Sequence, residues 1–313
     1  MKRIIASLAV LASLAGAANA QVWINEVLAN PPGSDSTATT GNEYFELRGT
    51  PNMSLAGYYL LSIEGQGTTG RGDVNQFFDL GTYSIGANGF LFARQNFSAY
   101  TTTAAGATVI QNTAGQGWGL TGASTVGHSG DGTQVDLENS ATTILLINKG
   151  SGAAPTLTLD VDTDNNGVLD LPAGWTLVDS VGIMDGSGAA ASDFSYGAIT
   201  LRSSDTSGNY LGTSAYGNII DVPGIPSTTA GVFYVGRIGD STGSTAADWF
   251  GAILSGSAGS PLSITFASAS DVHYQGMKLP DMVFGGPNPI PEPGSLVLLG
   301  LGSLTLFLLR KTR

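Results

Sequence analysis

Val22-Trp23-Ile24-Asn25-Glu26-Val27-Leu28, Tyr44-Phe45-Glu46-Leu47-Arg48 and Leu55-Ala56-Gly57-Tyr58-Tyr59-Leu60-Leu61-Ser62-Ile63-Glu64 decide the fold class. Each is short, rich in β-branched and aromatic residues, and closed by a turn signal. Asn30-Pro31-Pro32-Gly33 stops the first, and Gly49-Thr50-Pro51-Asn52 follows the second. In the second, Phe45 and Leu47 alternate with Glu46 and Arg48, which predicts one apolar and one polar face.

Outward from these stretches the same signals recur. Gly89–Arg94, Thr143–Asn148, Trp175–Val181, Phe233–Ile238 and Leu262–Phe266 read as further strands. Thr143–Asn148 is a continuous apolar run and is expected to lie centrally in a sheet. Thr101–Thr142 and Gly186–Pro226 read as Gly/Ser/Thr-rich loops, and Ala246–Phe250 as a short helix. Gly makes up 45 of 313 residues, about twice the ordinary ~7%. Apart from the two termini, no long 3.6-residue period is present, so the body is expected to be all-β.

The opening resembles the lamin-tail domain, an immunoglobulin-like β-sandwich of nuclear lamins and of many secreted bacterial proteins. The resemblance rests on Ile24-Asn25-Glu26, Asn30-Pro31, Glu43-Tyr44-Phe45-Glu46-Leu47 and Leu55-Ala56-Gly57-Tyr58. Arg48-Gly49 departs from the family, which often has an Asn-containing turn there. The body is also far longer than a minimal lamin tail, so the resemblance implies a sandwich with long loop insertions over residues 21–288.

Both termini read as addresses. Met1-Lys2-Arg3 is a basic start, Ile4–Leu14 an apolar run, and Ala18-Asn19-Ala20 a cleavage site, so residues 1–20 form a signal peptide for the export machinery. At the other end, Ser295–Leu309 is apolar and uncharged and is followed by Arg310-Lys311-Thr312-Arg313. As a helix the run spans about 22 Å, short of the ~30 Å hydrocarbon core. Pro291-Glu292-Pro293, the apolar run and the basic tail resemble the PEP-CTERM sorting signal. In that family an exosortase of the inner membrane recognises and removes the signal. The resemblance implies a membrane-spanning sorting helix within residues 289–313, read by Pro291, Glu292, Pro293, Arg310, Lys311 and Arg313, and delivery to the cell surface or beyond. A permanent membrane anchor is the alternative.

Charge and composition narrow the function. Five of the 12 basic residues lie in the terminal signals. The stretch Gln21–Gly294 keeps 7 basic and 24 acidic residues, a formal charge of −17, which disfavours nucleic acid as a partner. There is no Cys, so neither disulfides nor thiolate zinc sites exist.

One local pattern carries metal chemistry. In Asp160-Val161-Asp162-Thr163-Asp164-Asn165-Asn166-Gly167-Val168-Leu169-Asp170, oxygen ligands alternate before a glycine turn. Asp162, Asp164, Asn166, the Val168 carbonyl and Asp170 occupy calcium-loop positions, with Asp160 just upstream. Ala173 stands where an EF-hand has its bidentate Glu, and Pro172 opposes an exiting helix. The spacing resembles dockerin or thrombospondin type 3 calcium loops, and a solvated acidic turn is the plain alternative.

Other candidates are thinner. His128, in Gly127-His128-Ser129-Gly130, and His273 read as surface residues. The one G-x-S-x-G string, Gly239-Asp240-Ser241-Thr242-Gly243, is not read as a nucleophile elbow. Arg71-Gly72-Asp73 spells an adhesion tripeptide and is read as a chance loop sequence. Glu43 and Glu46 are assigned to the strand pattern, and Trp118, Trp175 and Trp249 to packing. The expected function is a non-enzymatic, exosortase-sorted envelope protein with a structural or adhesive role in matrix or exopolysaccharide. A secreted hydrolase or nuclease accessory protein and a carbohydrate-binding module are the alternatives.

Overall fold

The computed structural model describes residues 21–139, 141–184, 192–204, 209–210, 212–214, 218–224, 233–257 and 259–290. The signal peptide and residues 291–313, with the apolar run, lie outside the described residues. The described chain is all-β. In order, its strands are β1 (Val22–Leu28), β2 (Tyr44–Gly49), β3 (Tyr58–Glu64), β4 (Val74–Asp79), β5 (Phe90–Arg94), β6 (Thr108–Gln111), β7 (His128–Gly130) and β8 (Thr142–Asn148). They continue with β9 (Thr176–Met184), β10 (Phe194–Ser195), β11 (Ile199–Ser203), β12 (Thr213–Ser214), β13 (Ile219–Val222), β14 (Phe233–Arg237), β15 (Trp249–Ser255) and β16 (Thr265–Ala269). Only two short 3₁₀ turns, Pro261–Ser263 and Leu279–Asp281, interrupt the pattern among the described residues, and no helix there is long and apolar enough to cross a membrane.

Two seven-stranded sheets result. The first runs β16-β15-β14-β1-β2-β5-β6 and the second β13-β11-β9-β8-β3-β4-β7. Val22, Ile24, Val27, Phe45, Leu47 and Leu91 of the first meet Leu60, Phe78, Ile144, Leu146, Val181 and Leu201 of the second in one buried cluster. The outer faces are covered too. Tyr44, Phe92, Tyr234 and Phe250 lie under Ile264, Tyr274, Leu279 and Phe284 of the C-terminal segment. Tyr59, Leu61, Leu145 and Ile147 lie under Val161, Trp175 and Tyr196. A sheet covered on both sides needs apolar residues at every position, which is why β8 is a continuous run with six of its seven residues buried.

The same double cover corrects the reading of β2. Phe45 and Leu47 do face the central cluster, but Glu46 on the other face is buried, not solvated. The apolar cover arrives from residues more than 200 positions later, so local alternation carries no sign of it.

Several expected loops hold strands. Thr101–Thr142 contains β6 and β7, and Gly186–Pro226 contains β10 to β13. β9, β11 and β13 stack in parallel, while β10 and β12 stack in parallel in a separate two-stranded ladder. The chain here winds from one ladder to the other in a solenoid-like coil, which departs from the immunoglobulin-type sandwich implied by the resemblance. β5 and β6 also pair in parallel. The expected helix at Ala246–Phe250 is a turn followed by the start of β15. Asp248 caps that turn by accepting from Thr245 N at 2.8 Å, and Trp249 enters the ladder opposite Arg237. Leu262–Phe266 begins in the first 3₁₀ turn, and its strand starts only at Thr265.

Candidate functional site

The acidic loop packs on the outer face of the second sheet. An isolated bridge between Asp73 and Asp160, and a bond from Val161 N to the Gly72 carbonyl (2.9 Å), fix its base. Asp162 organises the turn. Its Oδ1 accepts from Asn166 N (3.0 Å), and its Oδ2 accepts from Gly167 N (3.0 Å) and from the Tyr196 hydroxyl (2.8 Å). Gly167 has φ +87°, and a Cβ there would run into the Phe194 ring, so the glycine is required twice over.

This curl gathers three carboxylates. One oxygen each of Asp162, Asp164 and Asp170 lies within 4.8 Å of the others, with Asp162 buried and the other two exposed. An all-oxygen group of this size fits a hard cation such as calcium, which takes 6–8 oxygens, the remainder coming from carbonyls or solvent. The fit to the expected ligand set is partial. Asp160 is not in the group, and its Oδ1 accepts from Asp162 N (2.8 Å). Asn166 presents its amide nitrogen to Asp164 (2.8 Å) and spends its oxygen on Val168 N (2.7 Å). Asp170 also accepts from the Thr163 hydroxyl (2.6 Å). Of the expected side-chain ligands, these three carboxylates are the ones the fold brings together.

Two non-local neighbours were not readable from the loop's own sequence, Tyr196 and Arg71. Arg71 donates to the carbonyls of Asn165 (3.0 Å) and Ser192 (3.2 Å) and lies over the Phe194 ring. Arg71-Gly72-Asp73 is thus the wall of the acidic loop, and its arginine is occupied, not presented.

His128 corrects the surface reading. It is 2% exposed in β7, with Nδ1 2.8 Å from the Gly119 carbonyl and Nε2 3.2 Å from Gln76 Oε1. Burial pushes its pKa down to about 4, so it sits neutral in the core. His273 is exposed and pairs with Asp271 at 2.7 Å. Trp118, Trp175 and Trp249 are all buried.

The body holds its chain to the last described residues. Asn288 is buried and donates to the Arg237 carbonyl (2.9 Å), and the Tyr274 hydroxyl donates to the Pro289 carbonyl (2.7 Å). The next residues are Pro291-Glu292-Pro293. Residues 289–313 match the PEP-CTERM protein-sorting motif. The motif marks the protein as exported, processed by an exosortase-type system and sorted to the cell surface. The match covers this C-terminal signal only. No curated protein and no solved structure matches the chain.

Proposed function

We propose that the protein is a non-catalytic surface component whose β body serves a structural or adhesive role in the extracellular matrix or exopolysaccharide. The observation that carries this reading is the sorting motif, whose first matched residue, Pro289, is the one the body pins. Lamin-tail character is part of the reading, supported by the adjacent pairing of the Ile24-Asn25-Glu26 and Glu43–Leu47 stretches in β1 and β2. The formal charge of −17 over residues 21–294 sets the body against nucleic acid and toward cations and cation-bridged acidic polysaccharide.

Delivery is tested by mass spectrometry of the protein from its host. The mature chain should run from about Gln21 to near Pro293. An intact Leu296–Arg313 peptide on surface protein would leave a permanent anchor instead. The processed chain should co-fractionate with exopolysaccharide and turn over neither DNA, esters nor polysaccharide. Recovery as a periplasmic protein, or activity lost on one Asp, Glu or His substitution, would overturn the role.

Calcium at Asp162, Asp164 and Asp170 is the second part of the proposal. With a Kd on the order of 10⁻⁴ M, as in extracellular modules, a tenfold excess of calcium stabilises the fold by about 1.4 kcal/mol. That raises Tm by roughly 2–4 °C for a domain of this size. Magnesium should do less, because it sheds water reluctantly. Asp164→Asn with Asp170→Asn should reduce the calcium response while sparing Asp162, which the loop needs for its own hydrogen bonds. Identical melting shifts in wild type and variant would remove this loop as the site.

A further inference from the structure

Beneath the C-terminal segment lies a second group of oxygens, far from the acidic loop in sequence. Glu26 of β1 and Glu46 of β2 are direct cross-strand partners, and both are fully buried. The ladder slips between Ile24 and Glu26, a bulge that re-aims Asn25. Its Nδ2 donates to Glu46 Oε1 at 2.7 Å. The other Glu46 oxygen accepts from Gly285 N of the C-terminal segment, and Glu26 Oε2 accepts from the Tyr234 hydroxyl. No basic side chain bonds to either carboxylate among the described residues. Arg94, opposite Tyr44 in the ladder, donates to the Tyr100 carbonyl instead.

What remains around this pair is unpartnered oxygen. Glu26 Oε1, Asn25 Oδ1, the Tyr44 hydroxyl and Asn288 Oδ1 are buried and make no hydrogen bond. Tyr44 and Asn288 stand beside the Glu26 carboxyl, close enough to favour its charged form. One proton would satisfy one oxygen. It would leave the others without a partner. A calcium-class ion takes 6–8 oxygens at 2.3–2.6 Å, from carboxylates, amide carbonyls and water.

We propose that Glu26, Asn25, Tyr44 and Asn288, with Glu46 beside them, form a buried site for a hard divalent cation of the calcium class. The cation neutralises the two carboxylates and joins β1 and β2 to the segment that leads into the sorting motif. Because Asn288 and Gly285 both belong to that segment, loading holds it against the first sheet. The site is independent of the acidic loop and of the role proposed for the body.

The test is metal analysis of the mature protein purified from its host, in an Asp164→Asn/Asp170→Asn background that weakens the acidic loop. After dialysis against chelator-treated buffer, about one calcium or magnesium per chain should remain. Glu26→Gln keeps the shape and removes a ligand charge, and it should bring the metal content to background. Melting in EDTA, which strips the metal, and in added calcium keeps the answer readable. Wild-type ligands should give a calcium-dependent Tm, and Glu26→Gln a calcium-independent one at or above the metal-free value. A metal-free protein whose melting ignores calcium, or a Glu26→Gln variant that retains its metal, would overturn the site and leave a shared proton in its place.

Discussion

Arg237→Ala should lower the unfolding free energy by about 3–5 kcal/mol, the cost of stripping one partner from a buried ion pair. The guanidinium is the main tie between the two sheets at this edge. From β14 it donates to the Ile24 carbonyl of β1 (2.7 Å), to the Gly243 carbonyl (2.5 Å) and to Asp179 of β9 (2.7 Å). It also lies 4.3 Å from the centre of the Trp249 ring. Asp179 in turn accepts from Ile24 N at 2.9 Å. Removing the arginine leaves Asp179 buried, without its counter-charge and facing a cavity. Burial already raises its pKa, and Arg237 is the group that opposes the rise. Thermal melting should fall by roughly 10 °C for a domain of this size. Arg237→Met with Asp179→Leu should recover much of the loss, because apolar replacements of matching volume carry no orphaned charge. A single variant that melts within 2 °C of wild type, a shift of at most about 1 kcal/mol, would show that the pair is not the tie between the sheets.

Neither partner stands out in the sequence, and the reason is general to this chain. What was legible is information stored locally. β1, β2, β3 and β8 announce themselves through alternation or an apolar run bounded by turns. The acidic loop was legible because Asp162, Asp164 and Asp170 fall within nine residues. The sorting signal was legible because its three parts are read in linear order. What failed is information stored across the ladder. β7 is three residues of Gly-flanked sequence, and it becomes a strand only because β4 offers Gln76, Phe77 and Phe78 to pair with it. β10 to β13 are similarly short and set in Gly/Ser-rich sequence, and they are held by stacking on β9 and on one another. His128 reads as a loop residue for the same reason, since its partners Gly119 and Gln76 are brought to it by folding.

Burial of acidic residues was the least legible feature. Glu26 and Glu46 sit on strands, and Glu43 just before β2, where a polar residue ordinarily faces water. Their cover comes from elsewhere: Leu137 and Trp118 for Glu43, and residues 264–288 for the other two. A run such as Asn25-Glu26 or Glu43-Tyr44-Phe45-Glu46 in a strand could have been flagged by its density of carboxylates among large aromatics. The resemblance to the lamin-tail opening pointed at the same residues without saying that they are inside.

Glu43 gives the second large effect. Its carboxylate accepts from Trp118 Nε1 (2.7 Å), Gln95 Nε2 (2.8 Å) and Leu137 N (2.8 Å), all within the core. Glu43→Ala strips those donors at once. With each unsatisfied buried group costing about 1–3 kcal/mol, and Gln95 keeping a bond to Asp136, the loss should be about 3–4 kcal/mol. Glu43→Gln should cost far less, because one amide oxygen can keep the bonds made by Oε2. The two variants also separate shape from charge. Burial, then the nearby Asp136 and Asp35, raises the Glu43 pKa well above the carboxylate range, and burial raises Asp35 to about 6. A carboxyl raised in the fold keeps a proton that the unfolded chain releases. Its stabilising contribution is therefore full at low pH and declines as pH rises from the ordinary carboxylate value through the folded one. His128 acts in the opposite sense, losing stability as pH falls from about 6.5 toward 4. Wild-type stability should thus decline between about pH 5 and pH 7, where Glu43 and Asp35 outweigh one histidine. Glu43→Gln should flatten that decline, and denaturant melts at pH 5, 6 and 7 measure the slope. A slope unchanged by Glu43→Gln would mean that Glu43 is ionised in the fold and that its three donors, not a retained proton, make its burial tolerable.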